Sequence, residues 1–330
     1  MASPRSIRVG LLMCGSLNAA YEANHGGYGY EKLLRDYWES TRPEGCNIHL
    51  IIDSYDVQKL KFPDQKMIDD YDIFTISGSA TSAYEDTLPW IEELLVFLRN
   101  LLKGNPKVRI VTGICFGHQI ICRALGGECV PNYEWELGPT LVELSEVGKS
   151  VFDVDCLSLQ EIHHDHVPIE SLSEQFAPGE LFLLGSSATT RNQGVIRFYP
   201  GSNCRHQDIH ILTIQGHPEF DEPIVTGLVR EDIDIFGQST ANRYWGDMGT
   251  HLDNEPTSKQ GTGRRWQRTD GPEVVSRVLW KMLGAFPLAD ADPRGLGNAG
   301  HVIDTVYHAK DDHKCPSAIV SEGALRESQV

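Results

Sequence analysis

The 330-residue chain contains no run of about eighteen or more apolar residues, so no membrane span is indicated. Basic residues are scarce: 29 Lys and Arg stand against 46 Asp and Glu, a formal net charge of −17 at pH 7. That balance argues against a general binder of nucleic acid or anionic membranes, since both attract basic surfaces. A small-molecule substrate is untouched by it. None of the eight cysteines forms a C-x-x-C pair, and in a chain of this size they read as reduced thiols rather than a disulfide framework. Cys115, Cys122 and Cys129 recur every seven residues, which we read as packing, because no matching His/Cys pair lies nearby in sequence. The glycine-rich Asn24-His25-Gly26-Gly27-Tyr28-Gly29 lacks the Lys-Ser/Thr of a phosphate-binding loop. No internal repeat or low-complexity tract is evident. Met1 to Ser6 leads straight into Ile7–Met13, too short and too strand-like for a secretory signal, so a cytoplasmic location is expected.

What the sequence does have is alternation. Apolar runs at Ile7–Cys14, Asn47–Asp53, Tyr71–Ser77 and Ile110–Ile114 read as buried strands. Between them, Tyr30–Ser40 and Pro89–Leu102 read as helices, the second carrying Trp90, Leu94, Leu95, Phe97, Leu98 and Leu101 at helical spacing. Such β-α-β order implies a parallel sheet covered on both faces, with ligands bound at the carboxyl ends of its strands. The second half looks more antiparallel. Pro139–Glu146 alternates like a half-exposed strand, Leu181–Ser187 and Val195–Tyr199 pair as a hairpin, and Asp208–Gln215 returns as a core strand. Ile224–Ile235 reads as helical, the remainder of 221–268 as a long loop over the site, and Pro272–Leu283 as an amphipathic helix closing the domain. Residues 6–286 are thus expected to form one domain, with 287–330 a partly disordered extension.

Two motifs carry chemistry. In Gly113-Ile114-Cys115-Phe116-Gly117-His118-Gln119, a strand ends at a cysteine and an apolar, helically spaced segment follows. This is the form of a nucleophile elbow with cysteine in place of serine. The flanking glycines let strand and helix backbones pass closely, and a thiol at a helix N-terminus is favoured as thiolate. A lone Gly-x-Cys-x-Gly describes a buried turn cysteine equally well; the second motif separates the readings. Gly216-His217-Pro218-Glu219-Phe220 closes the core strand. In extended backbone, positions two apart share a face, so Glu219 can hold the His217 ring while that ring serves Cys115 as base and then acid.

Together these motifs resemble the class I (triad-type) glutamine amidotransferases. Ser77-Gly78-Ser79, Glu136-Leu137-Gly138 and His163-His164-Asp165-His166-Val167 match the family in order and spacing, over roughly residues 6 to 285. The resemblance implies a flavodoxin-like, mostly parallel α/β sheet flanked by helices, with an added antiparallel segment in the second half. It implies a Cys115–His217–Glu219 triad that attacks a γ-carboxamide and passes through a thioester, without a cofactor. The backbone N–H groups of Gly78 and Phe116 would form the oxyanion hole. Tyr84-Glu85-Asp86-Thr87-Leu88-Pro89-Trp90 is more similar to a free-standing branch that includes γ-glutamyl peptidases, and with about 110 residues after Glu219 a second catalytic domain is not expected there.

Gln119, Glu136, His163, Asp165 and His166 are read as substrate-pocket residues; Glu136 is equally well a loop carboxylate. No metal site is assigned to the histidines, because adjacent residues of a strand point to opposite faces and no fourth ligand is nearby. Two alternatives stay open. The scaffold could serve a non-glutamyl step in specialised small-molecule biosynthesis, or the chain could be a non-catalytic or ammonia-supplying subunit of a partner enzyme. Association with a synthetase or with a second copy is likewise left open.

Overall fold

The computed structural model describes residues 5–18, 22–23, 26–27, 29–103, 110–248 and 269–286. The expected extension at 287–330, and the part of the expected loop beyond residue 248, lie outside the described residues.

The strands are β1 (Arg5–Met13), β2 (Ile48–Asp56), β3 (Ile73–Ile76), β4 (Ile110–Ile114), β5 (Val130–Leu144), β6 (Cys156–His166), β7 (Leu181–Leu183), β8 (Gly185–Ser186), β9 (Val195–Phe198) and β10 (Ile209–Ile214). Seven of them form one sheet in the order β2-β1-β3-β4-β10-β9-β7. The first five are parallel, and β9 and β7 add on antiparallel. The parallel part has the flavodoxin-like order, with β10 in the fifth place. Its inner strands are apolar on both faces: every residue of β3, β4 and β10 is buried, as a sheet covered on both sides requires.

Three helices cover the parallel sheet: α1 (Tyr30–Ser40), α2 (Pro89–Leu102) and α3 (Phe116–Ala124). Pro89 opens α2, where its missing N–H is harmless, and Trp90, Ile91, Leu94, Leu95, Leu98, Leu101 and Leu102 form its buried face. On the other face, Tyr37 and Trp38 of α1 are buried, and Trp38 meets Trp280 edge-on with ring centroids 5.5 Å apart. Trp280 belongs to the closing helix, which begins as a π-helical turn at Gly271–Val275 rather than as the uninterrupted helix expected from Pro272.

The second half is antiparallel as expected, with two differences. The predicted hairpin splits at Leu184: β7 stays beside β9 in the large sheet, while β8 crosses to a three-stranded sheet, β6-β5-β8. The expected strand at Pro139 begins instead at Val130, and the register of β5 against β6 shifts between Pro131 and Glu136. That irregularity breaks the apolar alternation and hides the strand in the sequence. Glu136 therefore stands on a strand opposite His163, not in a loop.

The helix expected at Ile224–Ile235 is present in two pieces, and the described part of the expected loop after it, 236–248, is mostly helical. After α4 (Glu146–Phe152) and α5 (Ser173–Phe176) come α6 (Glu222–Glu231), α7 (Ile233–Phe236) and α8 (Gln238–Met248). Asp221 caps α6 by accepting from Ile224 N–H, and Pro223 sits in its first turn. Within α8, Ala241, Tyr244 and Trp245 are buried at helical spacing. Gly246, exposed and directly after that face, obscures the pattern in the sequence. Among the described residues, no helix is long and apolar enough to cross a membrane.

Candidate active site

The site lies where β3, β4 and β10 end. Cys115 follows β4 and is the N-cap of α3, with φ +51° and ψ −107°, in the left-handed half of backbone space that non-glycine residues avoid. A conformation of this kind costs on the order of 1–3 kcal/mol and persists only where its surroundings impose it. Here they do. Cys115 N–H donates to Ile214 C=O at 2.9 Å, and Gln119 N–H donates to Cys115 C=O at 3.1 Å. The flanking glycines are explained by close approach: a Cβ on Gly113 would lie 2.5 Å from the Gly117 carbonyl, and one on Gly117 would lie 2.2 Å from the Ile76 oxygen. The elbow is thus wedged against the neighbouring strand, and its thiol faces the site with 6% exposure.

The strand β10 delivers His217 from the other side. Its N–H donates to Gln160 C=O at 2.7 Å, tying the turn to β6. Nδ1 of the ring contacts Glu219 Oε1 at 2.9 Å, and Phe220 stacks on the ring with centroids 4.1 Å apart. Burial lowers the pKa of His217, but the charges of Glu219 and Cys115 outweigh it and push it up to about 10. Neutral pH therefore finds this imidazole protonated, between the Glu219 carboxylate and the Cys115 sulfur.

Tyr30, which the sequence reading passed over, joins the site from α1. Its hydroxyl donates to Glu219 Oε1 at 2.7 Å and accepts from Gly78 N–H at 3.0 Å. The Gly78 N–H, an expected oxyanion donor, is thus engaged with a tyrosine in this structure. Phe116 is the first residue of α3, where N–H groups have no partner within the helix.

These groups open onto a cavity of about 520 Å³, on whose wall stand Tyr30, Gly78, Cys115, Gln119, His163 and His217. Asp165 also lines it, as does His164, its Trp135 neighbour stacking obliquely with centroids 5.4 Å apart. Gln119 is held in place by donating to the Asp165 carbonyl (2.9 Å) and to Gln215 Oε1 (3.2 Å). His166 and Glu136 are off the cavity wall. Glu136 stands behind His163: its Oε2 contacts His163 Nε2 at 2.9 Å, and Ser187, Thr189 and Gln193 donate to its oxygens. Burial would raise its pKa, but the bond and charge of His163 and the two hydroxyls hold it down at about 2.

Glu161, missed in the sequence, is fully buried beside this pair, its Oε2 3.4 Å from His163 Nε2. Burial, then the charge of Glu136, raise its pKa well above the usual carboxylate range, so it is held neutral. Glu136, Glu161 and His163 bring one ligand atom each to within 4.8 Å of one another. The protein's own donors already converge on Glu136, so the cluster reads as the support of His163.

Comparison with known proteins identifies the family. Residues 44–223 fit the model of the glutamine amidotransferase class-I family. The chain is 31% identical over 185 residues to a glutamine amidotransferase-like protein of Schizosaccharomyces pombe, covering 55% of this chain and 67% of that protein. It is 30% identical over 177 residues to gamma-glutamyl peptidase 4 of Arabidopsis thaliana, covering 54% and 65% respectively. A glutamine amidotransferase from Thermotoga maritima shares the fold with a TM-score of 0.57 at 17% identity, over 84% of this chain and 98% of that one. The chain belongs to the class-I glutamine amidotransferase family.

Proposed function

We propose that the chain hydrolyses, or transfers from, a γ-glutamyl amide through a thioester on Cys115. The observation that carries this reading is the elbow cysteine facing a buried His217 whose second nitrogen is held by Glu219. The relatives among the gamma-glutamyl peptidases support the same bond as target.

The steps follow from the charges. With His217 protonated, the Cys115 thiolate attacks the γ-carbonyl carbon, and the carbonyl electron pair moves onto oxygen. Phe116 N–H and Gly78 N–H are the donors for that oxyanion, which would replace the Tyr30 hydroxyl as the acceptor of Gly78. Collapse expels the amine, which takes its proton from His217, and leaves a γ-glutamyl thioester. His217, now neutral, removes a proton from water or another acceptor nucleophile as it attacks, and glutamate or a transfer product leaves with the thiolate restored. Glu219 keeps the ring oriented throughout and stabilises its charged form.

The test is glutamate release from glutamine, glutathione and a γ-glutamyl anilide by wild type and Cys115→Ser. Release that requires Cys115 is expected. If all three compounds are inert while Cys115 reacts with electrophiles, the scaffold serves a non-glutamyl substrate. If all three compounds are inert and Cys115 is unreactive toward electrophiles as well, the chain is a non-catalytic subunit.

A further inference from the structure

Beyond the catalytic groups, the cavity wall changes character. Trp135, Phe236, Ile235, Leu228, Ile162 and Leu17 form an apolar region of it. Trp135 meets Phe236 edge-on with centroids 4.9 Å apart. The backbone of Trp135 is pinned by Arg243, which donates to Trp135 C=O at 3.2 Å and to the Glu134 carboxylate at 2.9 Å. Ile235, on the rim, is 62% exposed, among the most exposed large apolar residues described. A volume of about 520 Å³ falls in the range of sites for drug-sized ligands, more than a single glutamyl group fills.

Apart from the protonated His217, whose charge is met by Glu219 and Cys115, the charge on the wall has one sign. Asp165 and Asp232 line the cavity, and no Lys or Arg does so among the described residues. The glutamyl α-amino group suits such a wall. One α-carboxylate can be met by neutral donors, for which the hydroxyls of Ser79, Thr81 and Ser82 on the loop after β3 are placed. A second carboxylate, on the leaving side, would face that apolar region and Asp232, which stands just before Ile235 and Phe236 in the chain.

We infer, resting on the γ-glutamyl reading above, that the preferred substrate is the γ-glutamyl amide of an aromatic or other apolar amine that carries no carboxylate. Its ring packs on Trp135 and Phe236, while γ-glutamyl peptides ending in a free carboxylate, glutathione included, are poor substrates.

Three amides separate the contributions: γ-glutamyl-methylamide, γ-glutamyl-benzylamide and γ-glutamyl-phenylalanine. The last two share a ring and differ by one carboxylate. The expected kcat/KM for the benzylamide exceeds that for each of the others by about tenfold or more. Trp135→Ala lowers the benzylamide-to-methylamide ratio about tenfold, and Trp135→Phe restores most of it. Asp232→Asn raises γ-glutamyl-phenylalanine relative to benzylamide. Equal turnover of benzylamide and γ-glutamyl-phenylalanine, or a ratio unmoved by Trp135→Ala, overturns the inference while leaving the γ-glutamyl reading standing. If all three amides are inert with a folded wild-type protein, the underlying reading fails and takes this one with it.

Discussion

Tyr30 and Glu219 are 189 residues apart in the chain, yet the tyrosine hydroxyl donates to the carboxylate at 2.7 Å in the buried site. The same hydroxyl accepts from Gly78 N–H, so one oxygen links the residue that orients His217 to the loop expected to hold the oxyanion. Tyr30→Phe removes a hydrogen bond to a charged group and leaves a buried N–H unpaired. A loss of about 1.5–3 kcal/mol of folding stability is expected, read as a lower urea midpoint at unchanged m-value.

The pKa of His217 is raised above its ordinary value, so the native state binds a proton more tightly than the unfolded chain does. The resulting stabilisation is complete below pH 6.5, declines above it, and is gone past about 10. Urea midpoints of wild type measured from pH 6 to pH 10.5 should therefore fall relative to those of His217→Gln. Parallel curves would contradict the raised pKa.

Glu136 and Glu161 both approach Nε2 of His163 but in opposite states, and their amide variants should diverge. Glu136→Gln removes the charge on which His163, Ser187, Thr189 and Gln193 converge, and should destabilise the fold by about 3–5 kcal/mol. Glu161 is held neutral, so Glu161→Gln exchanges one neutral group for another of like shape, at a cost of about 1 kcal/mol or less. Denaturant unfolding of the two variants side by side decides it.

Gly117→Ala places a methyl group 2.2 Å from the Ile76 oxygen, a backbone atom that cannot step aside. The helix must shift away from β3 and carry Cys115 with it. Loss of about 1–3 kcal/mol of stability is expected, together with slower alkylation of Cys115 by iodoacetamide. An Ala variant with wild-type stability and thiol reactivity would show that the wedge does not set the elbow.

How far the sequence reveals this site depends on the distance over which each part is built. The elbow and the His217–Glu219 pair are local patterns. Strand, turn and helix follow one another within ten residues. A turn at Pro218–Glu219, closed by Phe220 N–H donating to His217 C=O at 3.2 Å in place of the expected extended backbone, brings the two side chains together. Parallel order was legible for a similar reason, since apolar runs and helical spacing repeat in turn. Tyr30, Trp135 and Phe236 were not. Each looks like one more aromatic core residue, and its place at the site arises only when α1, β5 and α7 converge on the strand ends. Glu136 reads as either a pocket residue or a loop carboxylate, and its place on β5 behind His163 is hidden because the register shift between Pro131 and Glu136 erases the alternation of β5. Helix α8 was hidden by Gly246, which the buried Tyr244 and Trp245 beside it outweigh.

The central claim is that Cys115 carries a γ-glutamyl group in turnover. Acid-quenched intact-protein mass spectrometry during hydrolysis of a γ-glutamyl anilide, followed by peptide mapping, tests it most directly. The account predicts a mass gain of one γ-glutamyl group on the Cys115 peptide, released by hydroxylamine and absent in Cys115→Ser. Glutamate release that continues undiminished in Cys115→Ser, or an adduct on a different residue, would contradict it.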